Sequence, residues 1–148
     1  MIAIDTNVLV YAHRAEMPLH GVAMTRLRDL VEGSAPWALP AFCIGEFVRV
    51  VTHPRIFHPP SDLEPALTFI AQVLGSPSAR LLVPGPTFPT LFAEACREGA
   101  VQGNLAFDAQ VVAVCREHGV TDILTEDRDF ARFAVPAPVR LESRAATD

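Results

Sequence analysis

Four carboxylates stand where the surrounding pattern calls for something apolar. Glu46 lies in the run Ala41 to Val51, which is apolar almost all round and so predicts a buried helix. Asp108 lies in the run Leu105 to Cys115, which has the same property. Asp5 directly follows the short apolar run Ile2 to Ile4, and Asp127 comes just after the run Ile123 to Thr125. An ionised carboxylate inside an apolar helix is costly unless it is paired or binds a metal. Carboxylates that converge repel one another, so a cluster of them needs a cation. All-oxygen ligands suit Mg²⁺ or Mn²⁺ rather than Zn²⁺. A metal held this way is a device for phosphodiester hydrolysis, because it lowers the pKa of the attacking water and neutralises charge developing at phosphorus.

Each acid also has a plainer reading. Asp5 and Asp127 can each cap the helix that follows. Glu46 can pair with Arg49 one turn on. Asp108 has no basic residue three or four positions away, so its plain reading is the weakest. The readings do not exclude one another, since a ligand can also cap, and it is the joint pattern that favours a site.

The elements that must position these acids alternate short apolar runs with helical stretches, which is the signature of α/β layering. Strands are expected at Ile2–Ile4, Trp37–Leu39, Leu81–Val83 and Asp122–Thr125, with Val139–Leu141 as a candidate edge strand. Helices are expected over His20–Glu32, Ala41–Thr52, from a capping box at Ser61–Glu64 to about Leu74, over Thr87–Glu98, and over Leu105–His118. In a doubly wound parallel sheet, ligands bind beyond the carboxyl ends of the strands at the topological switch point, where Asp5 and Asp127 would stand. One domain is expected over residues 1–148, with 142–148 a frayed tail.

All 12 basic residues are arginine. Without lysine there is no P-loop and no Schiff-base catalysis. The three cysteines, Cys43, Cys96 and Cys115, lack CxxC spacing and read as core fillers of a protein in a reducing compartment. No apolar stretch reaches the ~18 residues of a membrane span, and no basic segment precedes the first apolar run. A cytoplasmic location is therefore expected, with no membrane partner.

The segment from Ile2 to Ala12 carries D-x-N at Asp5, Thr6 and Asn7. Ile44-Gly45-Glu46 and Phe107-Asp108-Ala109 supply two further acidic motifs, and Thr125 to Phe130 reads T-x-D-x-D-F. Together, in this order, these residues resemble the PIN-domain family of metal-dependent ribonucleases, and within it the VapC toxins of bacterial toxin–antitoxin pairs. The resemblance spans nearly the whole chain. It implies a three-layer α/β fold with a central, mainly parallel sheet of four to five short strands flanked by helices. It makes Asp5, Glu46, Asp108 and Asp127 a catalytic quartet that holds Mg²⁺ or Mn²⁺, with Asp5 and Asp108 the first choice as direct ligands. Thr6, Asn7 and Thr125 would hold the carboxylates in place. Asp129 either joins the cluster or pairs with Arg132, and the pairing is preferred.

The resemblance further implies an RNA substrate, a small antitoxin that covers the acidic groove, and a homodimer. Arg14, Arg49, Arg55 and Arg128 are candidate phosphate contacts, each with the alternative of merely balancing carboxylate charge. In the loop His53–Pro60, the two histidines can reach phosphates and Phe57 can stack on a base, or the loop is simply a surface loop over a buried phenylalanine. The formal charge of −5 argues against a nucleic-acid binder with a basic face. With four acids gathered on a metal, the remaining charges nearly balance, and RNA would meet a metal-charged groove edged by arginines. The alternatives are a non-catalytic module of the same fold that binds RNA or a partner, and a Mg²⁺-dependent phosphatase with Asp5 as nucleophile. The second expects D-x-D and a lysine, where this chain has D-x-N and none.

Overall fold

The computed structural model describes residues 1–142; the expected tail beyond Glu142 lies outside them. Five strands form one sheet in the order β3-β2-β1-β4-β5, and every neighbouring pair is parallel. They are β1 (Ile2–Ile4), β2 (Trp37–Pro40), β3 (Ala79–Leu82), β4 (Asp122–Leu124) and β5 (Ala137–Val139). β1 is central because Ala3 and Ile4 are fully buried, and all four residues of β2 are buried beside it. Such runs, apolar on both faces, are what a parallel sheet covered by helices requires.

The helices are α1 (Thr6–His13), α2 (His20–Glu32), α3 (Ala41–Val51), α4 (Leu63–Leu74), α5 (Phe88–Glu98) and α6 (Leu105–Glu117), followed by a 3-10 turn at Arg128–Arg132. From β1 the chain steps outward through α1 and α2 to β2, then through α3 and α4 to β3. It returns through α5 and α6 to β4 on the other side of β1. Right-handed crossovers therefore put α1–α4 and α5–α6 on opposite faces, giving three layers. The reversal of direction falls between β1 and β4, so the switch point lies at their carboxyl ends.

The structure corrects several boundaries. β3 starts two residues earlier than the apolar pattern indicated and β5 covers 137–139 rather than 139–141, because edge strands with one exposed side carry a weak periodicity. The capping box does not form. Asp62 occupies the cap position of α4 without a side-chain bond, and the Ser61 hydroxyl contacts His13 Nε2 at 2.9 Å and Arg14 at 3.0 Å instead. α3 is not buried all round: Cys43, Phe47 and Val51 enter the core while Gly45, Glu46 and Arg49 face outward. None of the helices among the described residues is long and apolar enough to cross a membrane.

Candidate metal centre and active site

Asp5 is the first residue past β1, and its backbone N–H still bonds to Leu124 of β4 at 3.0 Å. Its carboxylate is buried and held by neighbours. Oδ1 accepts the Thr6 N–H at 2.7 Å, capping α1, with the Cys43 thiol 4.0 Å away. Oδ2 accepts the Thr125 hydroxyl at 2.8 Å and the Asn7 amide at 3.2 Å. Burial pushes the Asp5 carboxyl up to about 6, against the pull of the Thr125 and Thr6 bonds and with a further push from Glu46 and Asp127.

Thr125 is the hub of this arrangement. It is fully buried at the end of β4, and its hydroxyl uses its whole hydrogen-bonding capacity. It donates to Asp5 and accepts from the Asp127 N–H at 3.0 Å and the Asn7 amide at 3.2 Å. Asn7 in turn accepts the Glu126 N–H at 3.3 Å. Glu126 is tied from the other side to the segment just past β5, where its carboxylate accepts the Leu141 N–H at 2.7 Å and pairs with Arg140 at 3.3 Å. The loop carrying Asp127 is thus pinned to α1 on one side and to that segment on the other. Thr6 extends the same support to α3, donating to Glu46 Oε2 at 3.1 Å.

Asp108 differs in kind. It sits half-buried in the first turn of α6, with no hydrogen bond among the described residues, and is pushed up to about 7. Burial is the largest cause, followed by repulsion from Asp127, Asp5, Glu46 and Asp129. Asp108, Asp127 and Asp129 each offer a carboxylate oxygen, and these oxygens lie within 4.8 Å of one another. Three acids at that range, one of them pushed well above the usual carboxylate range, form a donor set short of positive charge, and hard oxygen donors of this kind fit a hard divalent cation. Asp127 also caps the 3-10 turn by accepting the Asp129 N–H at 2.9 Å, so its capping and clustering roles coexist.

The sequence-derived quartet is brought together, with a different emphasis. Asp129 stands among the closest oxygens and also lies 3.9 Å from Arg132. Asp5 and Glu46 repel Asp108 without belonging to its closest triad. Glu46 and Arg49 form no ion pair among the described residues, and both line the groove in front of the acids. This groove, of about 740 Å³, runs between α3 and α6 and is walled by Phe42, Gly45, Asn104, Leu105, Phe107, Gln110 and Val111 as well as the acids.

The other arginines are placed differently. Arg14 bonds to Ser61 and to the Pro59 carbonyl, pairs with Glu16, and lies 4.4 Å over the Phe57 ring, so it staples the 53–60 loop and is absent from the groove lining. Phe57 is buried beneath it, which is the plain reading of that loop. Arg55 and Arg128 are exposed outside the groove lining. Sequence reasoning passed over Phe42, Phe107, Asn104 and Gln110 because apolar and amide residues beside motif acids carry no pattern of their own. It passed over Tyr11 too, whose hydroxyl is pushed up by burial and then by Glu126, Asp5 and Asp127.

Comparison with known proteins adds to this geometry. The family model described as PIN domain matches residues 2–136. Ribonuclease VapC25 of Mycobacterium tuberculosis is 34% identical over 140 residues, covering 95% of this chain and 98% of that protein. Ribonuclease VapC43 of the same organism is 35% identical over 133 residues, covering 90% of each. Among solved structures, VapBC2 from Rickettsia felis bound to a DNA fragment from its promoter superposes with a TM-score of 0.68 at 15% identity, covering 95% of this chain and 98% of that one. Mycobacterium tuberculosis VapC20, described as a sarcin-ricin loop cleaving toxin, gives 0.65 at 19%, covering 88% and 93%. At such identities the two structures speak to the fold.

Proposed function

The chain belongs to the PIN-domain family, among its VapC ribonucleases, and from that premise we propose that it is a metal-dependent endoribonuclease and the toxin of a toxin–antitoxin pair. The observation that carries this reading is the convergence of Asp5, Glu46, Asp108, Asp127 and Asp129 at the switch point of the sheet, two of them pushed well above the usual carboxylate range. Asp108, Asp127 and Asp129 would hold the cation, Mg²⁺ or Mn²⁺, with Asp5 and Glu46 completing its surroundings. Such a cation supplies an activated water and neutralises charge at phosphorus. The chain's own groups do the rest. Thr125, Asn7 and Thr6 fix the carboxylates, and Arg49 meets a phosphate on the α3 wall. Residues 1–148 act as one domain in the cytoplasm, as a homodimer, silenced by a small antitoxin that covers the groove.

The test is RNA cleavage with end-mapping, with and without chelator, on wild type, Asp5→Asn and the Asp5→Asn/Asp108→Asn pair. Cleavage should need metal and vanish in both variants. Robust cleavage by the double variant sinks the assignment. Binding of metal or RNA without cleavage on a broad panel returns the non-catalytic alternative.

A further inference from the structure

The groove in front of the carboxylates carries a feature that metal binding does not use. Phe107, the residue before Asp108, is 61% exposed, more than any other large apolar side chain among the described residues. It stands on the α6 wall of the groove. Across the groove Phe42 is already engaged, its ring 5.7 Å from Phe88, which stacks on Phe92 at 5.8 Å. Phe107 has no ring partner among the described residues. The core-facing side of α6 is supplied by Ala109 and Val111 to Cys115, so Phe107 is not a displaced core residue. Beside it, Asn104 holds the cap position of α6 with no side-chain capping bond. Because both line the groove beside the carboxylates, the bare ring and the uncommitted amide together offer a flat apolar face and a polar edge, which suit a planar, polar-edged group.

We propose that Phe107 is the platform on which a base beside the scissile phosphate stacks; this rests on the ribonuclease reading above. A base inside a helix has both faces covered by its neighbours, whereas an unstacked base offers a face to an aromatic side chain. The walls divide the work. Arg49 on α3 takes backbone charge, the aspartates between the walls would hold the cation that meets the phosphate to be cut, and Phe107 on α6 takes the base. The Asn104 amide lies within the same lining and can read the base edge.

The experiment uses an oligoribonucleotide that the wild-type protein cuts. The same strand is tried with an abasic residue on either side of the cut. Phe107→Ala should lower kcat/KM by about tenfold or more, mainly through KM, while Phe107→Trp stays close to wild type. One abasic strand should lose a similar factor with wild type and little more with Phe107→Ala, because the two changes remove one contact. Phe107→Ala cutting as wild type does overturns the inference while leaving the ribonuclease reading intact. A shift in oligomeric state on sedimentation with kcat/KM unchanged also overturns it, by assigning the ring to a protein contact. A wild type that cuts no RNA removes the ribonuclease reading itself, and this inference with it.

Discussion

Replacing Asp108 by asparagine should make the metal-free protein more stable. Burial and then the neighbouring acids push the carboxyl up to about 7 in the fold, against an ordinary value of 3.8. A group that binds its proton more tightly when folded contributes stability that is present below its unfolded pKa and is lost as pH rises through the folded one. For Asp108 the loss runs from about pH 4 to pH 7 and is complete above that. At face value the difference amounts to about 4 kcal/mol. Asp108 is only half-buried, and water screens it, so about 1–2 kcal/mol is the figure to expect. Asparagine keeps the shape, removes the charge and breaks no hydrogen bond seen among the described residues. For a chain of 148 residues the gain corresponds to a rise in Tm of about 3–8 °C. Thermal unfolding followed in chelator at pH 8 and again at pH 5 reads this directly: a clear gain at pH 8 and a much smaller one at pH 5. Adding Mg²⁺ should raise the wild-type Tm and do far less for the variant. A lower Tm at pH 8, or a gain equal at both pH values, refutes the idea that these carboxylates are crowded without a cation.

Three further outcomes follow from the geometry. Thr125→Val removes one donor and two acceptor contacts at once, so it should cost about 1–3 kcal/mol in chemical denaturation and weaken metal binding by about 10- to 100-fold in calorimetry. Arg49→Ala should raise KM for RNA, whereas Arg14→Ala should chiefly make the 53–60 loop sensitive to limited proteolysis; equal rises in KM would count against the groove as the RNA path. Gly119, just past α6 with φ +69, should cost about 1 kcal/mol when changed to alanine, seen as a fall in Tm without change in cleavage.

The acids were legible because they break a pattern. Asp5 and Asp127 end strands, and Glu46 and Asp108 interrupt apolar helices, so the sequence indicated the strands, the switch point and the quartet together. What was not legible follows from the same source. Phe107 in an apolar helix looks like core, yet it stands in the first turn of α6 where that helix lines the groove, and this exposes it. Ser61 has capping-box spacing, but tertiary contact with His13 and Arg14 outbids a local bond. Glu46 was expected inside an apolar helix, yet α3 buries one stripe, formed by Cys43, Phe47 and Val51. Helical periodicity in a run this apolar carries too little contrast to show which side faces the groove. For Asp129 the sequence leaves both the cluster and Arg132 open and favours Arg132, its neighbour on the turn; the approach of α6 brings its carboxylate beside that of Asp108 as well.

The acids divide into two kinds, and that division makes a prediction that burial alone reverses. Asp5 is 6% exposed and more deeply buried than Asp108, so relief of desolvation would favour Asp5→Asn as the more stabilising change. Its Oδ2, however, accepts from both Thr125 and Asn7. An asparagine amide turned that way would set donor against donors, and turned the other way it would face the Thr6 N–H that Oδ1 now accepts. Either orientation leaves a buried donor without an acceptor, which costs about 1–3 kcal/mol and offsets the gain from removing the charge. Asp5→Asn should therefore gain less Tm in chelator than Asp108→Asn, or lose some. If Asp5→Asn gained as much or more, the hydrogen bonds from Thr125, Asn7 and Thr6 would not be what holds this carboxylate. Asp108 would then have no claim to be the adjustable member of the cluster and Asp5 the fixed one.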